Sequence, residues 1–142
     1  MRHKAVYRKD LQGLSRVRAK EAKALLDAGM DDGAYYLAGY AVECALKACI
    51  AKATRRHEFP DKQFAAECFK HDLGVLVKLA ELEESRRTLM KSNSGFNKNW
   101  NIVSSWSEQS RYRRHDNASA AALVEAIMER RNGILSWLRR YW

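Results

Sequence analysis

One compact domain fits in 142 residues and two ordinary ones do not. With 46% hydrophobic and 30% charged residues, the chain has ample apolar material for a core, which argues against a disordered chain. Its 26 Lys and Arg against 17 Asp and Glu leave a net charge of +9, which points to an anionic partner such as nucleic acid or a nucleotide. Three cysteines exclude a fully paired disulfide framework and point to a reducing, cytoplasmic compartment. Met1-Arg2-His3-Lys4 is basic, but no apolar run of signal length follows. The most apolar stretch, Tyr35 to Ala51, carries Glu43 and Lys47, and its uncharged part is far short of the roughly 20 apolar residues of a membrane span.

The pattern is helical along the whole chain. Twenty Ala and 14 Leu face only 13 β-branched residues, there is one proline, Pro60, and no run alternates as a strand would. A first helix is expected from about Asp10 to Ala28, with Leu11, Leu14, Val17, Ala22, Leu25 and Leu26 as its buried stripe and Gly29 as its stop. Asp31 or Asp32 can cap a second helix that runs to about Thr54. Arg55 to Gln63, which holds Pro60, is expected as a loop. A third helix starts near His71 or Asp72 with Leu73, Leu76, Val77 and Ala80. Glu83 to Gly95 is ambiguous, and a weaker helix covers about Asn97 to Ser107 with Phe96, Trp100, Val103 and Trp106 at helical spacing. A last helix is expected from about Ala118 to Tyr141. Helices of these lengths make a single all-α domain over residues 1–142, an up-and-down bundle of four or five helices.

Charge is uneven. Residues 1–23 hold eight Lys and Arg against two acids and residues 111–142 hold seven against three, so the middle holds eleven against twelve and the excess sits at the two ends. Arg16, Lys20 and Lys23 share one face of the first helix. If the first and last helices lie together they form a basic surface; the plainer alternative is a set of solvated helix faces.

The second helix is apolar nearly all round, yet Tyr36, Tyr40, Glu43 and Lys47 fall at i, i+4, i+7 and i+11 and make one polar stripe. The stripe lines a cleft or a subunit interface, or else is a Glu–Lys pair at the rim of the bundle with tyrosine hydroxyls reaching water. Gly39 beside it costs about 1 kcal/mol relative to Ala, which points to a close helix contact or to room for a ligand.

The run Gly39-Tyr40-Ala41-Val42-Glu43-Cys44-Ala45-Leu46-Lys47, within Ala28 to Ala48, resembles the second-helix signature of HEPN domains, small helical domains of higher eukaryotes and prokaryotes associated with nucleotide binding. His71-Asp72-Leu73 with Leu76 is similar to their third-helix start. Trp106 followed by Arg111-Tyr112 is similar to the Arg-Tyr before their last helix, and Ala122 to Leu138, ending in Ile134, Leu135 and Trp137, is similar to that helix. The resemblance covers about residues 10–140. It implies an up-and-down bundle, a homodimer, and either a nucleotide- or RNA-binding module or a metal-independent ribonuclease. It also implies a bacterial toxin–antitoxin setting with a minimal nucleotidyltransferase as partner.

HEPN ribonucleases use an arginine, four to six intervening residues, then a histidine. Here Arg111 is followed by His115 with three residues between. In such chemistry the histidine moves protons and the arginine stabilises phosphorane charge. A one-residue shift turns a side chain by about 100° on a helix, whereas a loop can absorb it. The leading expectation is therefore a binding module. Lys47 and Arg111 would hold phosphate, Tyr112 would stack on a base and Glu43 would orient Lys47. The alternative is a ribonuclease with Arg111 and His115 as its catalytic pair.

Other chemistry has little to stand on. Cys44, Cys49 and Cys68 lack zinc-ligand spacing and are expected as buried apolar residues. No glycine-rich phosphate loop is present, so no cofactor and no metal are expected. His71 beside Asp72 is either a helix-start cap or a His–carboxylate site. Trp100, Trp106 and Trp137 are expected in the core.

Overall fold

The computed structural model describes residues 5–54 and 61–142, and among these every regular element is helical. Five helices run to ten residues or more: α1 (Arg8–Asp27), α2 (Asp31–Ala53), α5 (Glu83–Ser92), α6 (Ser94–Val103) and α7 (Asn117–Met128). Three shorter ones, α3 (Lys62–Cys68), α4 (Leu73–Leu79) and α8 (Ile134–Leu138), join them, and a 3-10 turn covers Glu108–Tyr112. The protein is an all-α helical bundle, as its composition and periodicity require. No helix among the described residues is long and apolar enough to cross a membrane.

The centre of the bundle is α2. It packs on α1, α4, α7, α8 and the 3-10 turn. Its Ala41, Val42, Ala45 and Leu46 are fully buried, with Leu76, Val77, Val103, Leu123, Ile127, Ile134 and Leu138 around them. Helix α1 returns onto α2 through a tight turn. Gly29, at φ 78°, takes the left-handed position, its N–H reaches Leu26 O, and Met30 N–H reaches Leu25 O, so the last carbonyls of α1 are satisfied.

The contact of α1 with α2 is closer than the leucine stripe suggested. Ser15, Ala19 and Ala22 face α2, and the Ser15 hydroxyl donates to Ala41 O at 2.8 Å. Small side chains let the two backbones approach. Of the expected stripe only Ala22 is fully buried; Leu11, Leu14 and Leu25 are half-buried and Val17 is 47% exposed.

Three other expectations need correction. Asp31 and Asp32 do not cap α2. Its N-cap is Met30, and the two carboxylates instead hold the segment before α7. Most of the loop expected at Arg55 to Gln63 lies outside the described residues; its end is helical, because the Asp61 carboxylate accepts Gln63 N–H and Phe64 N–H and starts α3 at Lys62. The last helix is broken. Gly133 N–H closes on Glu129 O at 3.0 Å, and a Cβ on Gly133 would meet that oxygen at 2.1 Å, so α7 and α8 are separate helices with a turn only glycine fits. Asn132 fixes this turn to α6: its side-chain oxygen accepts from Asn93 and its backbone oxygen from Asn99.

The stretch Glu83 to Gly95 resolves into α5 and the start of α6, where the Asn93 side chain caps Phe96 N–H. Trp100, Trp106 and Trp137 are buried, with the Trp137 ring edge-on to Phe96, Trp100 and Tyr141.

Candidate functional site

Gly39 determines where the site is assembled. A Cβ there would meet the Trp106 ring at 2.2 Å, so only glycine lets Trp106 lie flat against α2, where it also packs on Tyr36 at 6.1 Å between ring centroids. The expected close helix contact or ligand space at Gly39 is taken instead by this indole, which lies beyond the end of α6. Trp106 ends the run after α6, and its docking brings the 3-10 turn Glu108–Tyr112 alongside the stripe of Tyr36, Tyr40, Glu43 and Lys47.

From the other side comes the start of α4. Asp72 caps that helix by accepting Val75 N–H at 3.0 Å, which leaves His71, the residue before the cap, free to reach back to α2. His71 Nδ1 lies 3.0 and 2.9 Å from the two Glu43 oxygens, and His71 Nε2 lies 3.2 Å from Glu108 Oε2. Lys47 Nζ donates to Glu43 Oε2 at 3.1 Å. The His71 imidazole thus bridges two carboxylates. It can donate to both only in its charged form.

Glu43 is the deepest member, its side chain 3% exposed. A carboxylate so far from water needs partners, and Lys47 and His71 supply them. Burial pushes the Tyr40 phenol up, with Cys44 and Glu43 adding to the shift and Arg18 opposing it. A shallow depression opens beside His71 and Glu108, lined by Phe69, Lys70, Asp72, Ser107 and Gln109, with Phe69 80% exposed.

Arg111 projects from the 3-10 turn into solvent with its guanidinium 4.8 Å from the centre of the Tyr112 ring. Tyr112 is the main influence holding this cation above its usual pKa; hydrogen bonding to Tyr36 and the charge of Glu108 add to it. No carboxylate lies within ion-pair distance of Arg111 among the described residues. Its flat face lies on the Tyr112 ring and the donors around its edge are open to an anion.

His115 is elsewhere in this region. Its ring stacks on Tyr35 at 3.7 Å and 9°, its Nε2 is 3.2 Å from Ser110 O, and its backbone N–H donates to Asp32 Oδ1. Arg114 pairs with the other Asp32 oxygen at 2.9 Å. Arg111 and His115 share no hydrogen bond and have different aromatic neighbours, Tyr112 for one, Tyr35 for the other.

Of the residues singled out in the sequence, Glu43 and Lys47 are bonded to each other, while Arg111 and Tyr112 stand together on the adjoining turn. His71 and Glu108 join them through long-range contacts. The only local signal for His71 is its place before a capping Asp, and Glu108 has none. Among the described residues, no three His, Cys, Asp or Glu side chains gather in a way that could hold a metal ion. Cys44 and Cys49 are buried and Cys68 partly so, all three as free thiols. No family model matches the chain, and neither does any curated protein or solved structure.

Proposed function

We propose that this chain is a HEPN-like module that binds a phosphate-bearing ligand, a nucleotide or RNA, at the Arg111 edge of the α2 stripe. The observation that carries the reading is Arg111 itself: an exposed guanidinium, stacked on the Tyr112 ring, with no carboxylate partner among the described residues. A guanidinium held in one orientation loses little entropy when it takes a phosphate in bidentate fashion. Tyr112, 72% exposed, offers a ring face for a base. Lys47 is half-buried and tied to Glu43, so its part is to complete the charge balance around that carboxylate and to present the remaining positive field to the ligand. Fluorescence anisotropy with labelled RNA and with a labelled nucleotide tests this. Arg111→Ala should weaken binding at least about tenfold at unchanged helix content, as loss of a charged hydrogen bond of about 1.5–3 kcal/mol requires. Equal affinities in variant and parent would remove the site.

The ribonuclease reading keeps one specific support. Because Ser110 O can only accept, His115 Nε2 must be the donor, which in the neutral ring leaves Nδ1 as a lone-pair base, and stacking on Tyr35 fixes the ring plane. In that reading the chain cuts single-stranded RNA in the presence of a chelator and His115→Ala abolishes cutting. RNA left equally intact by both proteins would end it.

A homodimer belongs to the same proposal. Leu11, Leu14 and Leu25 of α1 and Leu37, Tyr36 and Tyr40 of α2 are only half-buried in the single chain. A second copy covering them would remove this apolar surface from water. Light scattering should give twice the chain mass at micromolar concentration; a pure monomer would reject the dimer.

A further inference from the structure

We infer that the face of α1 that carries Lys9, Arg16 and Lys20, together with Arg139 just beyond α8, is a separate surface that tracks the phosphate backbone of single-stranded nucleic acid. Two segments from the opposite ends of the chain meet there. The Arg16 guanidinium lies 4.8 Å from the centre of the Trp142 ring and that of Arg139 lies 5.7 Å from the same ring. Gln12 Nε2 donates to Trp142 O at 2.8 Å and pins the segment to α1. Lys9 and Arg16 are seven residues apart and Lys20 four further on, so all three share one side of the helix over about 16 Å.

All four cations are exposed, and none has an acidic partner within ion-pair distance among the described residues. Lys23, on the same side, is neutralised by Asp27. Stacking on an indole holds a guanidinium in place through its flat face and leaves the donors around its edge free. The surface therefore presents two oriented forks and two lysines in a row. Such a row suits a repeating phosphate and binds it without regard to sequence. A protein acid would have to supply carboxylates at the same spacing, and the Trp142 ring among these cations is covered by two guanidinium groups.

This surface shares no residue with the Arg111 edge. The inference rests on the reading above only for the class of ligand. It deepens that reading by making the ligand a polymer rather than a free nucleotide.

The test is the salt dependence of binding to a fluorescein-labelled uridine 20-mer, read by anisotropy with the purified chain. Each phosphate contact on a single strand contributes about −0.7 to the slope of log K against log salt. Neutralising Lys9, Arg16, Lys20 and Arg139 together to Gln should flatten the slope by between about 2 and 3 and weaken binding about tenfold or more at low salt. Lys9→Gln with Lys20→Gln alone, two exposed side chains, should flatten it by about 1.4 at unchanged helix content. Face variants that match the parent while Arg111→Ala weakens binding would overturn the surface and leave the Arg111 site standing. Face variants that weaken binding while Arg111→Ala does not would support the surface and remove the Arg111 site. A parent that fails to bind the 20-mer at low salt, or that releases it equally to polyglutamate at matched charge, would overturn the assignment to nucleic acid.

Discussion

His71 follows Glu43 by 28 residues, yet its Nδ1 lies 2.9 Å from Glu43 Oε2, and that contact ties the start of α4 to the middle of α2. With Lys47 on one side and His71 on the other, Glu43 is a buried carboxylate with its charge answered. Glu43→Ala would leave Lys47 half-buried without its partner and break both contacts. It should cost about 3 kcal/mol in urea denaturation, whereas His71→Ala, at a rim 42% exposed, should cost about 1 kcal/mol. Equal small losses in the two variants would show that Glu43 is solvated rather than held.

Gly39→Ala should destabilise the bundle by about 2 kcal/mol or more, because the new methyl would fall 2.2 Å from the Trp106 ring and the ring must move. Since Trp106 seats the 3-10 turn, the same variant should also lower ligand affinity at the Arg111 edge. A melting temperature within a degree of the parent would contradict the close packing described.

Glu81 ends α4 in the left-handed region, at φ 61°, a position that favours glycine. Its N–H bonds Lys78 O, and Leu82 N–H bonds Val77 O, so the conformation is required by the cap. Glu81→Gly should stabilise the protein by about 0.5–1 kcal/mol in chemical denaturation. A destabilised variant would mean that the strain is absent.

Burial pushes the Cys44 thiol up to about 11 and that of Cys49 to about 12, from an ordinary value of 9.0. Below that ordinary value both thiols are neutral, folded or unfolded, and contribute no pH dependence. As the pH rises through it the unfolded thiols ionise and the folded ones do not, so the unfolded chain binds fewer protons and stability falls. The slope is at most about 1.4 kcal/mol per pH unit for each thiol. Urea midpoints measured from neutral pH to mildly alkaline pH should decline less steeply in a Cys44→Ala, Cys49→Ala double variant. Identical slopes would place the thiols in contact with water.

Much of this architecture is written in local pattern. The spacing of Tyr36, Tyr40, Glu43 and Lys47 puts them on one side of α2 before any partner is known, and the caps at Asp72 and Gly29 follow from residue type. What is not legible depends on how closely elements approach. A leucine stripe looks like the core face of α1, but Ser15, Ala19 and Ala22 win that face because small residues allow a tighter helix contact. Asp31 and Asp32 look like caps, and instead hold His115 and Asn117 more than eighty residues away. Asn132-Gly133 lies inside a helical pattern, and only the fit of Gly133 against Glu129 O shows why the helix stops. For the same reason Glu108 has no signal in its own neighbourhood and His71 has only its place before Asp72: their meaning comes from Glu43.

The central claim is that Arg111 holds phosphate because Tyr112 orients it, rather than through its charge alone. Arg113 supplies the comparison. It carries the same charge two residues away, is also exposed, and stacks on no ring among the described residues. Titration calorimetry with a short single-stranded RNA, comparing Arg111→Ala with Arg113→Ala, separates orientation from charge. The account predicts at least about a tenfold loss for Arg111→Ala and about twofold or less for Arg113→Ala. Equal losses in the two variants, or none in either, would contradict it.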